Sequence, residues 1–447
     1  MSITRITKSE SHMSQAQPSG LLVVDKPQGV TSFDVVAAVR GALHIKKVGH
    51  AGTLDPMATG ALVIAFGHAT RLLNAIVAHD KTYEATIRLG LTTDTDDAEG
   101  AVHVDESSHS RWKELAERHG EQVSRQTGTL WRDLLAGAIA SHFTGNIEQV
   151  PNTFSAIKIN GQRAYDLARE GKDVELKARP VTVSEFSVLD VRAGVVTGKY
   201  ADEPLLEKDV TSFPFDSVAA PDQSLCSVPN SLSIFSDHLG ESGPSDTANP
   251  STSVGLIPVL DVNVRISCSS GTYIRALARD LGMMLGVGGY LTRLRRTRVG
   301  RFALPDDASR LIAADAMQQT SAHTITAHAE PKTFVNREGE RVSRNSCMLD
   351  TPARLAGEER RAWVLGRALT MEQATRGAMP AVDITAEEAA ELRFGRRIER
   401  VVPRDTQVAA IAPASDDVSD DAPADVVAIL ERANAHQAKP VTVFPLA

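Results

Sequence analysis

Short apolar runs, one alternating segment and helix-period segments make up the hydrophobic pattern of the first ninety residues. Residues 21–24 and 61–66 are apolar runs of strand length, and they predict buried strands. Apolar positions recur on one face of 35–43 and again over 69–78, which is typical of amphipathic helices. Segment 81–90, KTYEATIRLG, alternates between apolar and polar positions and therefore predicts a half-buried strand.

The rest of the chain has weaker patterns. An apolar stripe at helical spacing covers 131–143, and the Asn-Gly pair at 160–161 predicts a hairpin. A strand, a Ser-Ser-Gly turn and a helix from Thr272 follow, and the C-terminus predicts a helix over 426–435 before a strand over 440–446. Because strands and helices do not alternate as regular β-α-β units, the pattern predicts an α+β fold with a mixed, mainly antiparallel sheet and flanking helices.

Composition shifts along the chain divide it into segments. Residues 1–19 are polar and aperiodic and predict a disordered tail. A main domain is expected over 20–305, with an acidic, flexible insertion at about 200–255. We interpret 306–377 as a linker or insertion and 378–447 as a small C-terminal domain.

Charge is distributed unevenly. The 447 residues carry a net charge of -8, which argues against a protein that coats nucleic acid along its whole length. Segment 265–301, however, holds eight arginines and a single acid, whereas 202–246 holds nine acids and one lysine. A surface of arginines beside a glycine turn fits phosphate contacts better than a merely solvated surface.

Several classes of site are disfavoured. The three cysteines are far apart and suggest neither disulfides nor a zinc site. Neither a dinucleotide-binding nor a Walker A glycine motif is present. Segment 93–100, TDTDDAEG, lacks the spacing of a calcium loop, so we interpret it as a solvated acidic turn. With no signal-peptide or membrane-spanning pattern, we expect a soluble cytoplasmic protein.

Asp55 is the leading candidate for chemistry. It lies in a glycine-rich stretch, GHAGTLDPMATGALVIAFG, immediately before a predicted buried strand. Glycines at 49, 52 and 60 allow positive φ and close approach of a ligand. A carboxylate here can act as a nucleophile, a base or a metal ligand, and the simpler alternative is a turn or cap carboxylate.

This stretch resembles the catalytic motif of the TruB family of tRNA pseudouridine synthases. Further segments agree in order: LLVVDKPQGVTSFDVV, KTYEATIRLGLTTDTDDAEG, QVPNTFSAIKINGQRAYDLAREG with ELKARPVTV, and CSSGTYIRALARDLG with LRRTRVGRF. Together they cover most of 20–192 and 258–304. The resemblance implies the pseudouridine synthase fold, conversion of uridine 55 in the T-loop of tRNA, and no cofactor or metal.

The resemblance also assigns roles. Asp55 matches the catalytic aspartate, and Tyr83 matches a tyrosine that stacks on the target base. By strand period alone, Tyr83 is an ordinary core tyrosine. Tyr273 matches a pocket tyrosine, and Arg275 matches the arginine that pairs with the aspartate. His50 matches a histidine that fills the space left by the extruded base.

The remaining predicted contacts are with the pocket wall and the RNA backbone. Leu294 matches an apolar pocket residue, and we predict that Lys26, Arg295 and Arg296 contact the RNA backbone. Ser270 stands where many members have lysine, which removes one positive charge near the RNA.

The C-terminal segment resembles the domain of actinobacterial members that is related to the PUA RNA-binding module. Flanking extensions associated with guide-RNA-dependent relatives are lacking, so we expect a monomeric enzyme that acts on the tRNA T-arm without guide RNA or protein partner.

Isomerisation of uridine breaks the N1–C1′ bond and rejoins the base through C5, and a carboxylate suits attack and departure. The sequence leaves open attack at C1′, attack at C6 or a glycal route. The base must also be flipped out of its stack. Two alternatives have different chemistry: an RNA-binding or tRNA-folding protein with secondary catalysis, and a nucleoside or glycoside hydrolase, which needs a second acid.

Overall fold

A large mixed sheet is the central feature of the computed structural model. The residues that it describes are 17–104, 111, 131–154, 158–159, 162–163, 167, 176–198, 255–305, 323–336, 339–413 and 424–446. The predicted N-terminal tail, except for residues 17–19, lies outside the described residues, and so does nearly all of the predicted acidic insertion.

Helices and strands occur in mixed order along the chain. The helices are α1 (Ser32–Leu43), α2 (Leu73–Val77), α3 (Ile274–Leu285), α4 (Gly357–Leu365), α5 (Met371–Ala378) and α6 (Ala386–Arg393). Residues 67–72 form a 3₁₀ turn, and 131–142 are helical. The first strands are β1 (Gly20–Lys26), β2 (Val48–His50), β3 (Thr59–Phe66), β4 (Lys81–Leu89), β5 (Thr92–Thr93), β6 (Val102–His103), β7 (Gly145–Gln149), β8 (Lys158–Ile159) and β9 (Gln162–Arg163). The later strands are β10 (Arg179–Gly198), β11 (Gly255–Cys268), β12 (Gly289–Val299), β13 (Phe302–Ala303), β14 (Thr324–Val335), β15 (Arg341–Leu349), β16 (Ala381–Asp383), β17 (Val408–Ala412), β18 (Asp425–Arg432) and β19 (Ala438–Val443).

The main sheet has the strand order β15-β14-β1-β3-β12-β4-β11-β10-β7. Its neighbours are antiparallel except for the β1–β14 and β3–β12 pairs, so the prediction of a mixed, mainly antiparallel sheet is confirmed. The hairpin predicted at 160–161 corresponds to the β8–β9 pair. One face of the sheet packs against α1 and α3 in the larger apolar core, and a second core on the other face includes residues of the C-terminal domain.

The start of α1 shows how local sequence sets an element. The Thr31 hydroxyl accepts from the Asp34 N–H, and the Asp34 carboxylate accepts from the Thr31 N–H, which forms a capping box. Val35, Val36 and Val39 then fall on the buried face, as predicted. This cap fixes the position of Ser32, whose side chain reaches the loop that carries Asp55.

Segment 306–377 is not a linker in its described part. Strand β14 pairs in parallel with β1, and β15 pairs with β14, so both extend the main sheet. The Leu369 N–H also donates to the Leu21 C=O at 2.8 Å, and Leu21 returns a bond of 3.2 Å to the Leu369 C=O. A linker therefore does not fit this part, while an insertion, the other predicted alternative, stays a prediction. Pairing with β1 joins positions about 300 residues apart, a distance that no local pattern reports.

The C-terminal domain is a four-stranded sheet in the order β16-β17-β18-β19. Its strand β18 occupies the segment for which we predicted a helix, so that prediction is wrong. Residues 426–430 are all buried because β18 is a central strand covered on both faces. A short apolar run buried on both sides has no period that separates strand from helix. Among the described residues, no helix is long and apolar enough to cross a membrane.

Candidate active site

The loop between β2 and β3 carries Asp55 and is fixed by hydrogen bonds from the β1–α1 region. The Ser32 hydroxyl accepts from the Leu54 N–H at 2.8 Å and donates to the Leu54 C=O at 3.1 Å. The Gly29 N–H donates to the Pro56 C=O at 2.8 Å. The loop is therefore held on both sides of Asp55, as preorganised catalytic groups require.

Two buried cations bind the carbonyl groups of the same loop. Arg296 is 1% exposed, and its guanidinium donates at 3.1, 3.4 and 2.8 Å to the carbonyl oxygens of Gly52, Thr53 and Ala61. Lys26 is fully buried, and its Nζ donates at 2.9, 3.3 and 2.6 Å to the carbonyl oxygens of Pro27, Pro56 and Ala58. Our prediction that Lys26 and Arg296 contact the RNA backbone is wrong, because both side chains are enclosed and their donors are used to shape the loop.

Asp55 presents a partly accessible carboxylate beside a buried cation. Its side chain is 37% exposed, and its Oδ2 lies 3.1 Å from Nη2 of Arg275. Burial raises the pKa of Asp55 above its ordinary value, while Arg275 and, more weakly, Lys26 oppose this rise in pKa. The predicted Arg275–Asp55 pair is present, and it favours an ionised carboxylate that a substrate can reach.

Arg275 is itself fixed by a second carboxylate. It lies in the first turn of α3 and is 6% exposed. Its Nη1 lies 3.1 Å from Oδ2 of Asp97 and 2.9 Å from the Thr95 C=O, and its Nη2 donates to the Phe154 C=O at 3.0 Å. The guanidinium therefore bridges Asp55 and Asp97.

The acidic segment 93–100 is not the solvated turn that we predicted. Asp96 and Asp97 are buried, and Asp97 accepts hydrogen bonds from the Thr95 hydroxyl at 2.6 Å and from the Glu99 N–H at 3.0 Å. Glu99 is exposed as a residue, but its carboxyl group is partly desolvated, and this desolvation, with repulsion from Asp97 and Asp55, raises its pKa. The structure thus gives Asp55 two acidic neighbours that the motif analysis did not single out.

Tyr83 and Leu294 are brought beside the loop by the pairing of β4 with β12. Tyr83 lies opposite Arg296 in this pair, and Leu294 lies opposite Ala85. Both are buried, at 9% and 5% exposure. Burial raises the pKa of Tyr83, partly offset by Arg296, so its hydroxyl stays neutral. Tyr83 therefore offers a base an aromatic, apolar surface and no charge. Its stacking role remains a prediction.

Tyr273 and His50 flank the site differently. Tyr273 is the N-cap residue of α3, and its N–H and C=O bind the Gln149 side-chain amide at 2.8 and 3.0 Å. His50 ends β2, and burial lowers its pKa, so the neutral imidazole is favoured. Neither position contradicts the predicted roles, which remain predictions.

The arginine-rich segment 265–301 is largely paired within the protein. Arg295 binds Asp25 through two bonds of 2.9 and 2.8 Å, and Arg265 lies 3.0 Å from Glu84. The prediction of phosphate contact counted acids only within the segment, whereas the acids come from β1 and β4. Arg295 is accordingly an internal ion-pair partner that keeps 19% of its side chain exposed, and its RNA-backbone role stays a prediction. In the portion of the chain that the structure describes, no cluster of side chains suited to a metal ion occurs.

Asp97 and Ser32 support the site in ways that the sequence did not predict. No local signal in the sequence points to Asp97, because it lies eight residues after strand β4 ends and its partner Arg275 lies on a helix far along the chain. For Ser32 the signal was weak, because a hydroxyl at a helix start is explained by capping alone.

Comparison with known proteins gives consistent matches along the chain. Residues 40–201 match the "TruB family pseudouridylate synthase (N terminal domain)", 275–331 match the "tRNA pseudouridylate synthase B C-terminal domain", and 379–445 match "tRNA Pseudouridine synthase II, C terminal".

Similar proteins cover nearly the whole length. A tRNA pseudouridine synthase B from Bifidobacterium longum (strain DJO10A) is 65% identical over 441 residues, which are 97% of this chain and 100% of the relative. A protein of the same name from Arthrobacter sp. (strain FB24) is 37% identical over 428 residues, 95% of this chain and 96% of the relative. Among solved structures, an H/ACA RNP bound to a substrate RNA containing 2′-deoxyuridine matches with a TM-score of 0.46 and 19% identity, covering 96% of this chain and 85% of that one. On the strength of its full-length relatives, this chain belongs to the TruB family of pseudouridylate synthases.

Proposed function

We propose that this protein isomerises uridine 55 in the T-loop of tRNA to pseudouridine and that Asp55 is its nucleophile. The observation that carries the proposal is the Asp55 carboxylate, 37% exposed and 3.1 Å from the buried Arg275 guanidinium, with Tyr83 close enough to interact electrostatically with it. Family membership supports the reaction class, and relatives are named tRNA pseudouridine synthase B.

The reaction needs a group that attacks the uridine, later departs and is absent from the product. The N1–C1′ bond breaks, a C5–C1′ bond forms, the C5 proton is lost and N1 gains a proton. Asp55 forms a covalent adduct at C1′ or C6, or else promotes elimination to a glycal, and it leaves as a carboxylate. Arg275 and Lys26 favour the ionised form at the start and at the end of this cycle.

Extrusion of the uridine from the T-loop costs a few kcal/mol, which contacts in the pocket must offset. Tyr83 supplies a stacking surface, and Leu294 an apolar wall. Tyr273 adds a second aromatic group. His50 occupies the space that the extruded base leaves in the T-loop. The protein acts on the T-arm without guide RNA. Action as a monomer is supported by the nucleophile and its counter-ion, which both come from one chain.

Pseudouridine in an unmodified tRNA transcript, measured by mass spectrometry after incubation with the protein, tests the proposal. We expect complete conversion at one uridine by wild type and none by Asp55→Asn, with RNA binding retained. Asp94→Asn, a change in an exposed carboxylate of the acidic turn, should convert normally. If wild type binds the transcript without modifying it, the protein is an RNA-binding or tRNA-folding protein and the proposal fails.

A hydrolase would release free uracil instead. Glu99 makes this alternative concrete, since its carboxyl group interacts electrostatically with Asp55. Chromatography of the same reactions for uracil, together with a Glu99→Gln variant, separates the two chemistries. An isomerase leaves no uracil, whereas a hydrolase loses its uracil release in Glu99→Gln.

A further inference from the structure

Strands β14 and β15 form a ribbon that reaches beyond the main sheet. They pair with each other over nine positions, whereas β14 pairs with β1 only at residues 324–326. From Pro331 to Val335, every β14 side chain is exposed, including Phe334 at 42% and Val335 at 63%. A two-stranded ribbon with apolar side chains in water is marginally stable by itself, so these side chains call for a partner.

The exposed part of the ribbon concentrates positive charge on one face. Lys332 lies directly opposite Arg344 in the strand register, and its Nζ extends toward Met348, whose Sδ is 4.0 Å away. The Arg344 guanidinium lies 5.6 Å from the centre of the Phe334 ring on the same face. Among the described residues, the acid within ion-pair distance of Lys332 is Glu330 at 3.8 Å, and such an exposed pair contributes little. Two adjacent cations beside an exposed aromatic ring suit a polyanion with unpaired bases.

The position of the ribbon indicates which polyanion would bind to it. Asn345 Nδ2 donates to the Gly29 C=O at 3.2 Å, and the Gly29 N–H donates to the C=O of Pro56, the residue after Asp55. Asn345 lies opposite Pro331, and four further residues of β14 extend from this level, a distance of about 13 Å at 3.3 Å per residue. An RNA with a base at Asp55 therefore has its flanking backbone within reach of the ribbon.

We propose that the β14–β15 ribbon is an RNA-contacting arm. Lys332 and Arg344 bind phosphates of the substrate RNA, and Phe334 packs against an unpaired base or ribose next to the entry of the site. RNA is favoured over a protein partner because the ribbon is hydrogen-bonded through Asn345 and Gly29 to the loop that carries Asp55, where an RNA substrate has to pass. The inference rests on the proposed function for the identity of the RNA as the enzyme's substrate.

The test uses a charge-reversed full chain, Lys332→Glu with Arg344→Glu, and a fluorescent T-arm stem-loop RNA. Anisotropy should report a dissociation constant about tenfold higher than wild type at low salt. The slope of log affinity against log salt should become shallower by about 1 to 2, as expected for the loss of two phosphate contacts. The single-turnover rate constant at saturating enzyme should be unchanged, because neither residue touches the reacting base.

A matched control and a milder variant keep the test decisive. Arg192→Glu reverses an exposed strand arginine on β10, which is separated from β14 by five strands of the sheet. Arg192→Glu should bind RNA like wild type.

If the charge reversal impairs folding, the double variant Lys332→Gln with Arg344→Gln replaces it. The separate variant Phe334→Ala should weaken RNA binding about fivefold or more, as for loss of one stacked base.

Two results overturn the inference. If the double variant binds the stem-loop as tightly as wild type, or if Arg192→Glu weakens binding equally, the ribbon is not a specific RNA arm. Retained RNA affinity in the double variant would instead leave a protein partner as the occupant. The binding measurement does not depend on turnover, so failure of the isomerase proposal is recognised separately, as wild type that binds RNA and makes no pseudouridine.

Discussion

Asp97→Asn tests how far the carboxylate behind Arg275 supports the site. The Asp97 side chain is 3% exposed, and its Oδ2 lies 3.1 Å from Nη1 of Arg275. The substitution keeps an oxygen that accepts from the Thr95 hydroxyl and from the Glu99 N–H, so it removes the charge while conserving shape. Among the described residues, Asp55 then remains the one carboxylate within ion-pair distance of Arg275, and Asp55 is the more exposed of the two.

The size of the effect follows from distance and burial. Unit charges at 3.1 Å attract by about 5 kcal/mol at an effective dielectric constant of about 20. The cost of desolvating two buried charges offsets part of this attraction, and Asp55 still faces Arg275, so we expect the free energy of unfolding to fall by about 2 kcal/mol. A shift of Arg275 by about 1 Å is expected to lower the rate constant by about a hundredfold.

Urea unfolding and single-turnover conversion of a tRNA transcript measure the two effects. Asp94→Asn is the control, because Asp94 belongs to the same acidic turn but is 53% exposed and pairs with the exposed His103. Its unfolding free energy should change by less than about 0.5 kcal/mol, and its rate should not change. If Asp97→Asn matches wild type in both measurements, Asp55 and backbone carbonyls are sufficient to hold Arg275, and our account of the bridge is wrong.

Three further predictions concern the loop and its carboxylate. Gly60→Ala should lower the free energy of unfolding by more than about 3 kcal/mol in urea titrations, since its φ is +104° and the new Cβ would lie 2.2 Å from the Arg296 carbonyl oxygen. Ser32→Ala should cost about 1–3 kcal/mol in the same titrations, because it leaves the buried Leu54 N–H and C=O without their partner. The acid limb of the wild-type rate profile should be centred above pH 3.8, because burial raises the Asp55 pKa from that value and activity needs the ionised form, which is lost as pH falls through it. A limb centred at or below pH 3.8, or wild-type stability in either loop variant, would contradict these expectations.

Local pattern was sufficient for the elements whose period is unambiguous. Strand β4 was predictable because polar and apolar residues alternate through the segment, and α1 because its valines recur at helical spacing behind a capping box. Strand β18 was not predictable, because residues 426–430 are uniformly apolar and a central strand buried on both faces shows no period. Strands β14 and β15 were missed because what orders them is pairing with a distant strand.

The site divides in a similar way. Asp55 was identifiable because glycines surround it and because the stretch resembles a known motif. The identification of Lys26 and Arg296 as RNA contacts failed, because a positive residue looks the same in sequence whether it faces a phosphate or a set of loop carbonyls. Asp97 was discounted because acidic residues in a turn are usually solvated, and only the approach of α3 supplies its buried partner.

The sequence by itself determined the secondary-structure periods, the glycine-rich loop with its carboxylate and the family. These are local properties, since residue type, spacing and turn propensity act over a few neighbouring positions. Only the tertiary structure decided which charges are paired, which cations are buried and which ribbon projects beside the catalytic loop. Charge pairing and burial depend on through-space distance and on exclusion of water. Both are fixed by residues far apart in the chain, because strands β1, β4, β12 and β14 lie in one sheet.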